Sequence, residues 1–218
     1  MPEAVHAEVG ARNAVYLHIP FCESICTFCP FHRVVASEKR LERYVKALLF
    51  EINSKNIPSH QNASFDSIVI GGGTPSLLSN RQMTMIAEGL CDMFGSDSTK
   101  EFAIEAELKS CSKKKILLWK QLGITRVSLG IQTFSDRHRW AFGLQSIKSI
   151  DRIFDETNSH GISTGADLIY GMPGQSLDEL IGDLERTVEL KPSTIDIYPL
   201  NTSVSSDKLW SHYRTLGL

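Results

Sequence analysis

Short apolar-rich runs of strand length punctuate this chain at residues 14–19, 66–70, 102–107, 126–132, 164–170 and 194–200. Between them, near 38–53, 80–94, 112–122, 147–159 and 177–189, apolar positions recur at the spacing of an amphipathic helix, and a final helical run follows from about residue 206. Alternation of this kind predicts an α/β domain, a parallel sheet whose strands are joined by helical crossovers. Turn residues mark the joins: Pro58, the glycines at 71–73, Gly123, Gly161, Pro173-Gly174 and Pro192. There is no low-complexity segment and no repeat beyond the strand–helix unit itself.

The period-two pattern within the strands narrows the architecture. Val15, Leu17 and Ile19 share one face of the first strand, Tyr16 and His18 the other. Phe102 and Ile104 oppose Glu105 and Glu107, while Val127, Leu129 and Ile131 oppose Arg126, Ser128, Gly130 and Gln132. Ala166 and Leu168 oppose Asp167, and Ile195 and Ile197 oppose Asp196 and Tyr198. Five of the six strands thus carry one apolar face, suited to covering helices, and one face with polar or charged groups. A parallel sheet covered on both sides would be apolar throughout, and a closed eight-stranded barrel fills its lumen mainly with Val, Ile and Leu. Burying carboxylates and guanidinium groups without partners is costly. The pattern therefore predicts a partly open barrel whose interior receives a polar, charged ligand.

Composition adds exclusions. A chain of 218 residues can bury a sizeable single core. With 42% hydrophobic and 22% charged residues and a formal net charge of −2, nothing points to nucleic acid or an anionic membrane as partner. The basic run at 113–115 falls near a helix start and reads as a solvated face. No stretch reaches the ~20 apolar residues of a membrane span. The opening MPEAVHAEVGARN lacks the basic region and apolar core of a secretory signal, and residues 1–13 are set apart as an extension to a core over 14–218. Five cysteines, three of them within eight positions, do not make a disulfide framework, so a reducing cytoplasm is the expected compartment. Cys91 shares a helical apolar stripe with Ile86, Leu90 and Phe94 and reads as packing, as does Cys111.

The three clustered cysteines carry the candidate chemistry. Cys22, Cys26 and Cys29 are spaced C-x3-C-x2-C within YLHIPFCESICTFCPFH, directly after the first strand. A [4Fe–4S] cluster takes one thiolate per iron, so three cysteines leave one iron open to a small molecule. His32 follows at a C-x2-H distance, and a structural Cys3His zinc site is the competing reading of the loop. The glycines at 71–73, with Thr74 and Pro75, close the second strand, where a missing Cβ lets backbone approach a ligand or take positive φ. GGGTPS is neither a dinucleotide fingerprint nor a P-loop.

With these motifs in this order the chain resembles the radical S-adenosylmethionine (SAM) superfamily. Its HIPFC narrows the resemblance to the branch around oxygen-independent coproporphyrinogen III oxidase, with haem chaperone, anaerobic haem-utilisation and methyltransferase relatives. The resemblance runs over residues 15–200 and implies a partial parallel (β/α)6 barrel without the usual C-terminal extension. It further implies a [4Fe–4S] cluster on Cys22, Cys26 and Cys29, with SAM on the fourth iron; reduction then cleaves SAM to a 5′-deoxyadenosyl radical, the cofactors carrying the hard chemistry. The implied SAM contacts are Tyr16, Phe28, the backbone of Gly72, Gly73 and Thr74, Glu105 in AIEAEL, Gln132 in SLGIQTF, and Asp167 in GADLIYGMPGQ. Asp167 suits ribose hydroxyls as a double acceptor, and Glu107 shares the face of Glu105 on a less secure alignment. The implied partners are a small-molecule substrate, a tetrapyrrole among the candidates, and an electron donor of flavodoxin or ferredoxin type. The rival within the branch is a non-catalytic haem-binding chaperone, although the lone histidines His6, His18 and His32 read as structural.

Two positions depart from the pattern. Phe31 stands where coproporphyrinogen oxidases proper carry a further cysteine, which points away from porphyrinogen oxidation. Leu144 stands where an arginine usually partners SAM, so that either Arg139 or Arg137 substitutes or SAM binding is altered.

Overall fold

The computed structural model describes residues 14–54, 66–94, 101–203 and 206–218. The expected extension over 1–13, with His6, and the turn at Pro58 lie outside the described residues. In chain order the elements are β1 (Ala14–Ile19), β2 (Phe21–Cys22), β3 (Val34–Val35), α1 (Glu38–Asn53), β4 (Ser67–Gly72), α2 (Asn80–Phe94), β5 (Glu101–Ala106), α3 (Lys113–Gln121), β6 (Arg126–Gln132), α4 (Asp136–Phe142), α5 (Ile150–Ser159), β7 (Ser163–Tyr170), α6 (Leu177–Glu189), β8 (Thr194–Pro199) and α7 (Asp207–Thr215).

Six strands pair in parallel in the order β1-β4-β5-β6-β7-β8. Each strand lies beside its predecessor, and crossovers of one hand then place the helices on one side of the sheet. That side is the apolar face. Leu17, Ile19, Ile70, Ile104, Leu129 and Leu168 are buried in one continuous core with Val45, Leu48, Ile86, Leu90, Trp119 and Phe154 of the helices. The opposite face, with the polar residues, is the lumen, and the sheet ends at β1 and β8, so the barrel is open as the alternation predicts. As an edge strand β8 is the least covered, and Ile197 of its expected apolar face is 45% exposed.

Local chemistry sets the helix starts. Ser37 caps α1 by accepting from the Arg40 N–H, and Ser176 and Glu179 form a reciprocal capping box on α6. The helical stretch expected from 147 begins only at Ile150, because Ser149 takes a left-handed conformation (φ 58°). One helix is additional. The seven residues of α4 span two turns, too short for a helical period to register. Ser135 before it and Gly143 after it (φ 77°) are its start and stop signals.

α4 and α7 build a second apolar cluster from Ala141, Phe142, Ile169, Met172, Leu200, Leu209 and Tyr213, with Phe28 and Leu144 packed on its edge. Among the described residues no helix is long and apolar enough to cross a membrane.

Candidate functional site

The cysteine loop springs from the C-terminal end of β1. Its base is closed by a two-residue parallel ribbon, Phe21 opposite Val34 and Cys22 opposite Val35. The Val34 N–H donates to the Pro20 carbonyl (2.7 Å) and the Ala36 N–H to that of Cys22 (2.8 Å). Cys22, Cys26 and Cys29 are all half-buried. Burial, then the neighbouring thiols and Glu107, pushes the Cys26 thiol up to about 11, and burial raises Cys22 as well. Among the described residues no three His, Cys, Asp or Glu side chains gather closely enough to hold one metal ion.

The glycine segment lies directly against this loop. The Gly73 N–H donates to the Ile19 carbonyl (2.8 Å) and the Thr74 N–H to that of Phe21 (2.8 Å), extending the β1–β4 pairing up to the cysteines. The three glycines are needed for three different neighbours. A Cβ on Gly71 would lie 2.7 Å from Glu105 Oε1, one on Gly72 (φ 119°) 2.7 Å from the His18 ring, and one on Gly73 2.9 Å from Cys22 Sγ.

Along the lumen, Glu105 Oε2 accepts from the Gly72 N–H (2.9 Å). Burial raises its pKa, an effect offset in part by that hydrogen bond and by His18. Tyr16, beside Gly71, is 57% exposed, with its hydroxyl 3.2 Å from His18 Nδ1. Asp167 accepts from Ser128 Oγ at both oxygens (3.1 and 3.2 Å). Burial, with Asp196 and Glu105 adding to it, raises Asp167 from 3.8 to about 6. Gln132 sits at a register shift between β6 and β7 with φ 69°, and its amide folds back over Gly130. Glu107 turns to the loop: Lys109 bridges it (3.2 Å) to Glu23 (2.5 Å), which lies next to Cys22. Phe28 packs instead on Phe142, with ring centroids 4.4 Å apart.

Thus Cys22, Gly72, Gly73, Thr74, Glu105 and Tyr16 come together at one strand edge, with Asp167 and Gln132 further round the lumen. Sequence reasoning missed the Lys109 bridge, His18 beneath Gly72, and Arg33, whose guanidinium reaches the Cys26 carbonyl (3.4 Å). His18 alone carried a signal, its parity with Tyr16. Neither arginine offered as a substitute at Leu144 is free. Arg137 pairs with Glu179 (Nε–Oε1 3.1 Å) and the Gly174 carbonyl (2.7 Å), and the buried Arg139 donates to the carbonyls of Ile131 (2.6 Å), Thr133 (3.1 Å) and Gln145 (2.6 Å).

An open, sequentially ordered parallel barrel with a three-cysteine loop and a glycine segment abutting at its strand ends is an α/β fold of the radical SAM type. The model of the radical SAM superfamily matches residues 16–187, and the chain belongs to that superfamily. Its relatives lie in the coproporphyrinogen III oxidase-like branch. The chain is 32% identical to the haem chaperone HemW of Buchnera aphidicola subsp. Acyrthosiphon pisum (strain APS), covering 86% of this chain and 50% of that protein. It is 31% identical to the anaerobilin synthase of Escherichia coli O157:H7, covering 87% and 43%. Among solved structures, coproporphyrinogen III oxidase (HemN) from Escherichia coli superposes with a TM-score of 0.80 at 25% identity, over 93% of this chain and 47% of that one. The chain thus spans about half the length of the relatives it matches.

Proposed function

We propose that this chain is the cofactor-binding core of a radical SAM enzyme, with a [4Fe–4S] cluster on Cys22, Cys26 and Cys29 and SAM laid along Gly72, Gly73 and Thr74 toward Asp167. The observation that carries the reading is the Gly73–Cys22 approach, where even a methyl group would strike the sulfur at 2.9 Å. The glycine segment and the first cysteine are therefore in direct contact. The donor chemistry fits: three thiols for three irons, and along the lumen the half-buried carboxyl groups of Glu105 and Asp167, whose charged forms burial disfavours and a cation or hydroxyl donors would favour.

When bound, the cluster and SAM supply reductive cleavage of SAM and hydrogen-atom abstraction. The chain's own residues bind and orient. Glu105 fixes the Gly72 amide with one oxygen and offers the other to a cationic group. Asp167, set by Ser128, accepts from hydroxyls, and the Gln132 amide lines the same lumen. Tyr16 and Phe28 complete the proposed contacts, Phe28 by bracing the loop on Phe142. The substrate is a small molecule of the tetrapyrrole class, in keeping with the relatives' names, and the electron comes from a flavodoxin- or ferredoxin-type donor.

The test is anaerobic reconstitution with iron and sulfide, then incubation with SAM and dithionite, assaying iron and 5′-deoxyadenosine. The expected result is about four irons per chain and nucleoside that disappears in Cys26→Ala. A chain that takes up zinc and no iron overturns the reading. Similarity to HemW at 32% identity favours a second reading, in which the same core serves a haem chaperone. Stoichiometric haem binding with a loaded cluster and no nucleoside would select it.

A further inference from the structure

We infer that Thr27 is a positioning residue, fastening the part of the loop that carries Cys26 and Cys29 to the carbonyl end of α4 while the start of α7 locks it from the other side. The inference rests on the reading of these cysteines as cluster ligands.

The last carbonyls of a helix have no partner within the helix. At the end of α4, Gly143 turns the chain away in a left-handed conformation, and Thr27 takes two of the carbonyls left over. Its N–H donates to Phe142 (3.2 Å) and its Oγ1 to Ala141 (2.8 Å). Its own carbonyl accepts from the N–H (3.0 Å) and Oγ (2.9 Å) of Ser206. Every hydrogen-bonding group of this residue, which is only 5% exposed, is therefore used on elements 114 and 179 positions away. The bonds inside the loop that reach Cys26 and Cys29 are weaker: the Cys29 N–H reaches the Cys26 carbonyl at 3.5 Å and Arg33 reaches it at 3.4 Å. Order at Cys26 and Cys29 thus comes mainly from outside the loop.

The anchor is itself held. Tyr213 of α7 meets His138 of α4 through its hydroxyl (3.0 Å), and His212 Nδ1 lies 3.0 Å from the Ala141 carbonyl that Thr27 also uses. Neither contact is required to close the barrel, since both belong to the second apolar cluster and not to the sheet core. A loop ordered before metal arrives has already lost the conformational entropy that binding would otherwise have to overcome.

The test uses the chain as purified, metal-free and anaerobic, and reads the rate at which N-ethylmaleimide labels each cysteine by peptide mass spectrometry. Thr27→Val keeps the shape and removes the Oγ1 donor, and Thr27→Ser restores it. Labelling of Cys26 and Cys29 should accelerate about fivefold in Thr27→Val, the effect of one buried hydrogen bond on local opening. It should return toward the wild-type rate in Thr27→Ser, with Cys91 on α2 unchanged throughout. Ser206→Ala, which removes a donor from an exposed position, should move Cys26 in the same direction. After reconstitution, the Thr27→Val cluster should lose iron to a chelator faster by a similar factor. Unchanged labelling and iron retention in Thr27→Val and Ser206→Ala, with iron bound normally by the wild type, overturns the positioning role alone. A wild-type chain that binds no iron overturns the cluster reading itself, whatever the labelling rates.

Discussion

Replacing Gly73 with alanine tests the close approach on which the site depends. The added Cβ would lie 2.7 Å from the Phe21 carbonyl oxygen, and 2.9 Å from both the Phe21 carbonyl carbon and Cys22 Sγ. An unstrained C···O contact needs about 3.3 Å or more, so one segment must retreat by roughly half an ångström. Neither can do so freely, because the Gly73 and Thr74 amides bind the Ile19 and Phe21 carbonyls at 2.8 Å each. Overpacking of this kind costs about 1–3 kcal/mol, and weakening one of those bonds adds about 1 kcal/mol. Gly73→Ala should therefore destabilise the chain by about 2–4 kcal/mol in urea unfolding and reduce iron uptake on reconstitution. Gly182→Ala is the internal control: it is an exposed position within α6 where a Cβ meets nothing within 4 Å. There alanine should stabilise by about 0.5–1 kcal/mol through helix propensity and reduced unfolded-state freedom. A Gly73→Ala chain as stable as wild type, with normal iron content, would refute the reasoning.

Asp167 makes a pH prediction. Its pKa is raised from 3.8 to about 6, so the folded chain holds more protons than the unfolded one between those values, and the stability linked to this group, full below pH 3.8, is lost as pH rises through 6. Asp167→Asn should abolish that loss, gaining on wild type by at most roughly 3 kcal/mol above pH 6 and by less where the half-open lumen screens the charge; parallel pH–stability curves would count against it. Ser176→Ala removes the side chain that accepts from the Glu179 N–H (3.2 Å) and should cost about 1 kcal/mol in urea unfolding. An unchanged midpoint would mean that Glu179, still tied to Arg137, caps the helix alone.

The sheet was legible because its two faces differ in kind. Val127, Leu129 and Ile131 against Ser128, Gly130 and Gln132 alternate without a break, and the backbone follows that parity from Arg126 to Gly130. It then departs from it at Gln132, whose positive φ and register shift leave no trace in hydrophobicity. The cysteine and glycine motifs were legible from spacing, but their mutual contact was not. It arises from β1–β4 pairing, which brings Gly73 to Cys22 across 51 positions. α4 was hidden by its length, and with it the attachment of Thr27, a residue whose surroundings are supplied by segments remote in sequence.

The missing arginine at Leu144 now has a physical setting. Leu144 packs on the edge of the second apolar cluster, and Arg139 is turned inward onto the backbone carbonyls of Ile131, Thr133 and Gln145. Neither change adds positive charge to the lumen. Asp167 and Asp196 stand directly opposite on β7 and β8, Glu105 lies within electrostatic reach of Asp167, and Arg126 is already divided among Glu101 (3.9 Å), Asp196 (3.5 Å) and Thr194 (3.0 Å). The acids named here thus outnumber Arg126, and Asp196 and Glu105 add to burial in raising Asp167, whereas Glu105 is raised by burial alone. Under the proposed function a sulfonium- and ammonium-bearing ligand relieves that imbalance directly. The ligand's own charge then does part of what an arginine would do elsewhere: it favours the charged, hydrogen-bond-accepting form of Asp167. Ligand affinity should accordingly weaken as pH falls through 6, where Asp167 takes up its proton.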